Sequence, residues 1–519
     1  MTDIADLVER SLSPETRPEF DRRVREQARF LREIIDDGTL DNEGFAVGLE
    51  IEVYAVDRDD RLATLPDSVF DVAGKELGLH NAELNTDPSR FTPDGIDEQA
   101  AAVAAGTERA RAAADEAGYD LALDAMWTVP PGEGSERYLS ATEDRDGVSV
   151  AQNMRPNARY CALDNEAVRL AGGRINFDVP GAAHEFPTIL FESLATSIQP
   201  HLQIPSVAAF PDYYNAAIRT LGPLTALATN SPLLPPDLYN AVDDPDALLD
   251  ETHHELRIAA FEQSMNRTAN PKVRVPDDLT ETADLVDHIL DDEVFAPFLS
   301  EWANDRKGDG DDDGDGDFAD RFPEFDYKRG TYWRWLRPVV GGDPVDGAGD
   351  ERSLRIEYRP LPTQPTTADT ISFLCLTAGV IRGVVVTDHP LTDLPWTAAR
   401  DSFYRAVADG IEADVDWLTA EGERTADPAV VYEDLFAVAR RGLTEQGFSA
   451  SAAEAALAPA RARWEARETP ATWKLRGVRR RLDGGASLPA AVTATQREYL
   501  RLSRERDSFA DWPAPDADT

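Results

Sequence analysis

The 519 residues carry 52 lysines and arginines against 97 acids, a formal net charge of −45, with 42% hydrophobic residues and two cysteines. That leaves enough apolar residues for a large core, repels nucleic acid and anionic membranes, and excludes a disulfide framework, so Cys161 and Cys375 read as buried thiols of a reducing cytoplasm. No run of about 18 purely apolar residues occurs, and the acidic start "MTDIADLVERSLSPETRPEF" is not a signal peptide; the aspartate-rich, lysine-poor charge fits a halophilic cytosol, where molar salt cuts the Debye length to about 3 Å.

Residues 1–44 form an N-terminal helical segment with Phe20, Val24, Phe30, Leu31 and Ile34 on its apolar side. Residues 45–56 alternate as a strand. The turn "TPDG" precedes an Ala-rich helix over 96–117, and "DLALDAMWTVPP" reads as strand and loop. A long polar stretch covers 131–158. "EFPTILFESLATS" predicts a helix before the alternating "SIQPHLQIP", in which Pro200 lacks a ladder donor and argues for an edge or a bulge. "PDYYNAAIRTLGPLTALAT" and 281–306 are helical. The low-complexity acidic insertion 305–321 has EF-hand-like spacing at Asp309, Asp311, Asp313, Asp317 and Asp320, but it lacks the closing glutamate and reads as a solvated loop. "YWRWLRP" and "SLRIEYRPL" are strands. From 366 to about 500 the pattern is helical, with loops near 388–395, 421–428 and 483–488. The expected division is a helical segment 1–44, a catalytic unit 45–415 carrying the insertion, and a helical region 416–519 packed on that unit.

The strands are polar on one side and apolar on the other, unlike the doubly buried strands of a parallel sheet. The expected fold is therefore α+β: an open, mostly antiparallel sheet with a polar concave face, helices behind it and a helical C-terminal region. Residues two apart share a face. Glu50 and Glu52 point together, as do Glu83, Asn85 and Asp87, then Gln199, His201 and Gln203, then Arg355, Glu357 and Arg359. Paired carboxylates repel unless something positive lies between them. Hard cations such as Mg²⁺ take carboxylates and substrate phosphates as ligands, and guanidinium forks match phosphate oxygens. Glu50, Glu52, Glu83 and Glu357 could supply the carboxylates, and the arginines could neutralise phosphates. A P-loop and the H-E-x-x-H and G-x-S-x-G motifs are absent. On the residues alone, a ligase, a guanidino or carboxylate phosphotransferase, and a non-catalytic nucleotide- or amino-acid-binding protein all remain open.

The ordered segments "GLEIEVY", "AELNTDP", "TSIQPHLQIP", "LTALATNSPLL" and "LRIEYRPLPTQPTTADTISFLCLTAGVIRG" resemble the glutamate–cysteine ligase family, including its carboxylate–amine ligase branch, over roughly 45–415. The resemblance implies a glutamine-synthetase-like sheet that uses ATP with Mg²⁺ or Mn²⁺, works through an acyl phosphate, and joins small amino-acid substrates in the cytoplasm. It implies metal ligands at Glu50, Glu52, Glu83 and Glu357. His201, with Gln199 beside it, takes the place of the family's His or Asn on the nucleotide-facing strand. Arg359 matches the arginine on the transferring phosphate, and Arg337, in "WLRP", matches one expected to hold a substrate carboxylate; Arg355 is a neighbour in the nucleotide-facing set rather than a match. Gln199-Pro200-His201 departs from the branch's H-V-H. The 131–158 stretch and the acidic insertion have no counterpart, and both are expected to reshape the acceptor pocket. Nothing in the sequence names the acceptor or the oligomeric state.

Overall fold

The Ala46–Val56 strand organises the molecule, which is described here by a computed structural model for residues 4–42, 44–305, 321–341, 345 and 353–515. Its period-two pattern sends Val47, Leu49, Ile51 and Val53 into the core and leaves Glu50 and Glu52 half-buried on the opposite face. It lies within an eight-stranded sheet of order Leu336–Val340, Leu354–Tyr358, Ile198–Gln203, Ala46–Val56, Asn81–Asn85, Gly74–Lys75. Two short strands, Ser89–Arg90 and Asp120–Ala122, pair with its two ends. All of these pairs are antiparallel, and the sheet curls into an open half-barrel, the α+β architecture that the alternation predicts.

Helices Pro93–Glu116 and Thr367–Val386 pack against the sheet. Pro428–Glu445 crosses Thr367–Val386 so closely that a Cβ on Gly442 would lie 2.0 Å from the Gly379 carbonyl oxygen, which only glycine permits. Thr367–Val386 is the one described helix long and apolar enough to cross a membrane, although the sequence shows no unbroken apolar run; it is mostly buried among its neighbours. The last two long helices, Pro470–Asp483 and Leu488–Glu505, reach the Tyr54 end of the first strand through Lys474 and Gln496.

Five segments depart from their sequence reading. The stretch 281–306 is α-helical only over Asp284–Asp291, with a 3₁₀ turn at Ser300–Asp305. "TPDG" is no separate turn: Thr92 caps the helix by accepting from Gly95 N–H, and Pro93 occupies its first turn. "EFPTILFESLATS" is not an α-helix; Phe186 ends a hairpin strand, and Ile189–Leu194 is a short 3₁₀ turn. The 131–158 stretch holds a helix, Ser135–Ser140, and a hairpin, Thr142–Arg145 with Val148–Ala151. Ile198–Gln203 is an interior strand rather than an edge. It accommodates Pro200 because the ladder on the side of the missing N–H is interrupted there: Ile198 N–H donates to Leu361 O, and pairing with Leu354–Tyr358 resumes only at His201. Most of the acidic insertion, 306–320, lies outside the described residues.

Candidate active site

Strand register decides which polar residues meet. Glu50 lies opposite Gln199 on one side and Asn85 on the other, and Glu52 lies opposite Glu83. His201 stands between Gly48 and Glu357, and Glu357 stands between His201 and Arg337. Side chains from distant parts of the chain thus share a cavity of about 220 Å³ whose walls include Glu50, Glu52, Glu83, Gln199, Arg337 and Arg359. Glu76, Glu192, Lys75 and Arg159 join them, with Phe261, Met265 and Trp333 as apolar lining.

Each acid is held differently. Glu52 accepts from Ser197 N–H at 2.6 Å and from the Gln199 amide at 2.8 Å. Glu83 accepts from the Asn85 amide at 2.7 Å and shares a hydrogen bond with Glu76. Glu50 Oε1 lies 2.9 Å from His201 Nε2, yet neither ring nitrogen has an aligned hydrogen-bond partner among the described residues. Glu357 is fully buried: Arg337 donates to its Oε2 at 2.7 Å, and Arg359 Nη1 lies 3.1 Å from its Oε1. Arg359 also sits 5.6 Å from the centre of the Phe261 ring.

Electrostatics divide these acids into two groups. Burial, then the charges of Glu76 and Glu192, push Glu52 up to about 8. Burial and Glu76 push Glu192 up to about 7. Burial, Glu50 and Glu76 raise Glu83 well above the carboxylate range. Burial also works against Glu357, but Arg337, Arg359 and His201 outweigh it and hold that group at about 2. Glu357 is therefore an ion-paired anchor for two arginines, whereas the others form an under-neutralised nest of oxygen donors. Among the described residues, no three His, Cys, Asp or Glu side chains stand close enough to hold one metal ion as they are.

The family profile of glutamate–cysteine ligase family 2 matches residues 46–501. The chain belongs to that family. It is accordingly a glutamate–cysteine ligase-like enzyme, of the class that forms C–N bonds. No curated protein matches it in sequence. In fold it is similar to a bifunctional glutathione synthetase from Pasteurella multocida, at 13% identity and a TM-score of 0.50, over 89% of this chain and 53% of that one; it thus spans about half of that protein. A glutamate–cysteine ligase from Francisella tularensis, solved in complex with AMP, aligns at 14% identity and a TM-score of 0.47, over 92% of this chain and 91% of that one.

Within this ligase-family frame, most of the residues singled out from sequence adjoin one another. Glu50, Glu52, Glu83, Gln199, Arg337 and Arg359 line the cavity, while His201 and Glu357 are buried in the sheet beside it. Arg355, opposite Gln203 and Val339, is not among the lining residues. Sequence reasoning missed Lys75 and Glu76, because the adjoining strand is only two residues long and shows no period. It also missed Arg257. The "NSP" turn explains that residue: Asn230 N–H and Ser231 Oγ donate to buried Glu255 at 2.9 and 2.6 Å, Glu255 accepts from Arg257 Nε at 3.2 Å, and Arg257 reaches the carbonyl of Pro360 beside Arg359. A second cavity of about 470 Å³ shares Lys75 and Tyr160 with the first and is lined by Glu143, Arg145, Gln152 and Arg155 from the 131–158 stretch.

Proposed function

We propose that this cavity joins the carboxylate of one amino acid to the amine of another at the expense of ATP, through an acyl phosphate and with a divalent cation. The observation that carries the reading is the meeting of Glu50, Glu52, Glu83, Arg337 and Arg359 in one cavity on the family's sheet.

The residues fit the implied cation and nucleotide. Burial and like charges push Glu52 and Glu83 toward their neutral forms, a cost that a cation held among their oxygens would offset. Glu50, Glu52 and Glu83 would hold Mg²⁺ or Mn²⁺, which when bound would neutralise phosphate charge. His201 Nδ1 and Nε2 and Arg359 Nη1 are buried polar atoms without an aligned hydrogen bond and are available to a nucleotide, with Gln199 lining the cavity beside them.

In the proposed sequence a carboxylate oxygen of the donor attacks the γ-phosphorus, the bond to the β-phosphate oxygen breaks, and ADP leaves. The acceptor's amine then attacks the acyl carbon, the C–O bond to phosphate breaks, inorganic phosphate departs, and the amine proton passes to solvent. The work left to the protein is positioning and charge neutralisation. Arg359 is placed by Glu357 and Phe261 to neutralise the transferring group, and Arg337 to hold a substrate carboxylate. The cavity beside Lys75 and Tyr160 supplies room for the acceptor.

Phosphate release from ATP in high-salt buffer with paired amino acids tests this reading. Release that needs both donor and acceptor supports a ligase. Release with a single acceptor identifies a phosphotransferase, and no release with any pair identifies a binding protein.

A further inference from the structure

Glu192 is the odd acid of the cavity. Glu50, Glu52 and Glu83 belong to the sheet and have His201, Gln199 and Asn85 beside them. Glu192 comes from the 3₁₀ turn Ile189–Leu194, and among the described residues its carboxylate has no hydrogen bond or ion pair. The turn is rigidly built. Ile189 N–H donates to buried Asp164 at 2.7 Å, Thr188 Oγ1 accepts from Leu190 N–H at 3.2 Å, and Ser193 Oγ donates to Leu190 O at 2.6 Å. Ser193 O also accepts from Trp127 Nε1 at 3.3 Å and lies 2.9 Å from His80 Nε2. Asp164, Trp127 and His80 from three other segments, with Thr188 and Ser193 of the turn's own stretch, therefore fix a turn that presents to the cavity a carboxylate without a protein partner among the described residues.

Such a group calls for a cation. The positive charges that act on it, Arg359 and Arg257, do so at a distance; Arg257 is already committed to Glu255. A carboxylate on one wall and guanidinium groups on the next complement a zwitterion, with a carboxylate for the arginines and an ammonium for the acid. A simple dicarboxylate would bring only negative charge to a wall already rich in it. We propose that Glu192 receives the primary ammonium group of an amino-acid substrate whose carboxylate is held on the arginine side of the same cavity. This rests on the ligase reading and deepens it: the enzyme would select α-amino acids over the same acids without the amino group.

The test compares the wild type with Glu192→Gln, using glutamate and glutarate as donors at saturating ATP and Mg²⁺. The expected result is a rise of about 10- to 100-fold in the glutamate KM, from loss of a charged hydrogen bond, carried by KM more than by kcat. The preference over glutarate should disappear, and the acceptor KM should stay put. The opposite pattern, a raised acceptor KM with donor binding intact, would overturn the proposal. Equal losses for glutamate and glutarate, no change in either amino-acid KM, or a raised Mg²⁺ requirement alone would overturn the proposal. Thermal shift separates it from the ligase reading: even without turnover, glutamate should stabilise the wild type more than glutarate does, and Glu192→Gln should erase that difference.

Discussion

Two polar clusters hang from the same side of the Ala46–Val56 strand. Around Glu50 and Glu52 the acids outnumber their partners, and Glu52 and Glu83 are pushed toward neutrality. Two residues further along, Tyr54 donates to Asp124 at 3.1 Å; Gln496 donates to the same carboxylate at 2.7 Å and Lys474 at 2.5 Å. Lys474 also reaches Asn230 O at 2.7 Å, and Asn230 donates to Tyr499 at 2.8 Å. Burial is similar, but the charges of the second cluster cancel. That cluster fastens the C-terminal helices and the "NSP" turn to the sheet, while the first is left unbalanced in the cavity proposed to bind phosphates and cations. An unpaired buried charge is costly wherever it occurs, so its concentration in one cavity marks the candidate working surface. The lysines tell the same story. Of the five in the chain, Lys272, Lys328 and Lys474 are buried, and Lys75 lines the cavity.

The contrast predicts opposite responses to mutation. Glu52→Gln should have the largest effect on turnover, a loss of about 10³-fold or more from removing transition-state charge stabilisation, while the metal-free fold keeps its melting temperature or gains a little. A collapsed fold would mean that Glu52 is structural. Arg359→Lys should lower kcat by about 10²- to 10³-fold, because a point charge does not replace a fork; unchanged activity would make this arginine an anchor only. Asp124→Asn should cost about 3–5 kcal/mol of stability by stranding buried Lys474, measurable by chemical denaturation, while the substrate KM values of the protein that remains folded stay unaltered. A KM change there would erase the distinction between the two clusters.

The smallest effect is on pH dependence. Glu52 and Glu192 are raised in the folded protein, so between the unfolded value of 4.5 and about 8 and 7 respectively the folded state binds more protons than the unfolded one. Their contribution to stability is therefore fully present below 4.5 and is lost as pH rises through 7 and 8. The metal-free melting temperature should fall by a few degrees between pH 6 and 8.5, and Glu52→Gln should flatten that slope. A flat profile would show that these acids ionise at no cost.

By itself the sequence determined the faces. Alternation along "GLEIEVY", "AELNTDP" and "LRIEYRP" put Glu50 with Glu52, and Glu357 with Arg355 and Arg359, and with them came the open antiparallel sheet and the family. Strand period is local and can be read from a single segment. Only the tertiary structure decided which faces meet. Register put Glu52 against Glu83, made Glu357 the counter-ion of Arg337 and Arg359, left Arg355 off the cavity wall, and carried "SIQPHLQIP" into the sheet interior. Packing also brought in Glu76 from just after a two-residue strand, Glu192 from a 3₁₀ turn and Arg257 from a short helix. Those elements have no period long enough to mark a face, so their side chains acquire a direction only when the rest of the chain has packed around them.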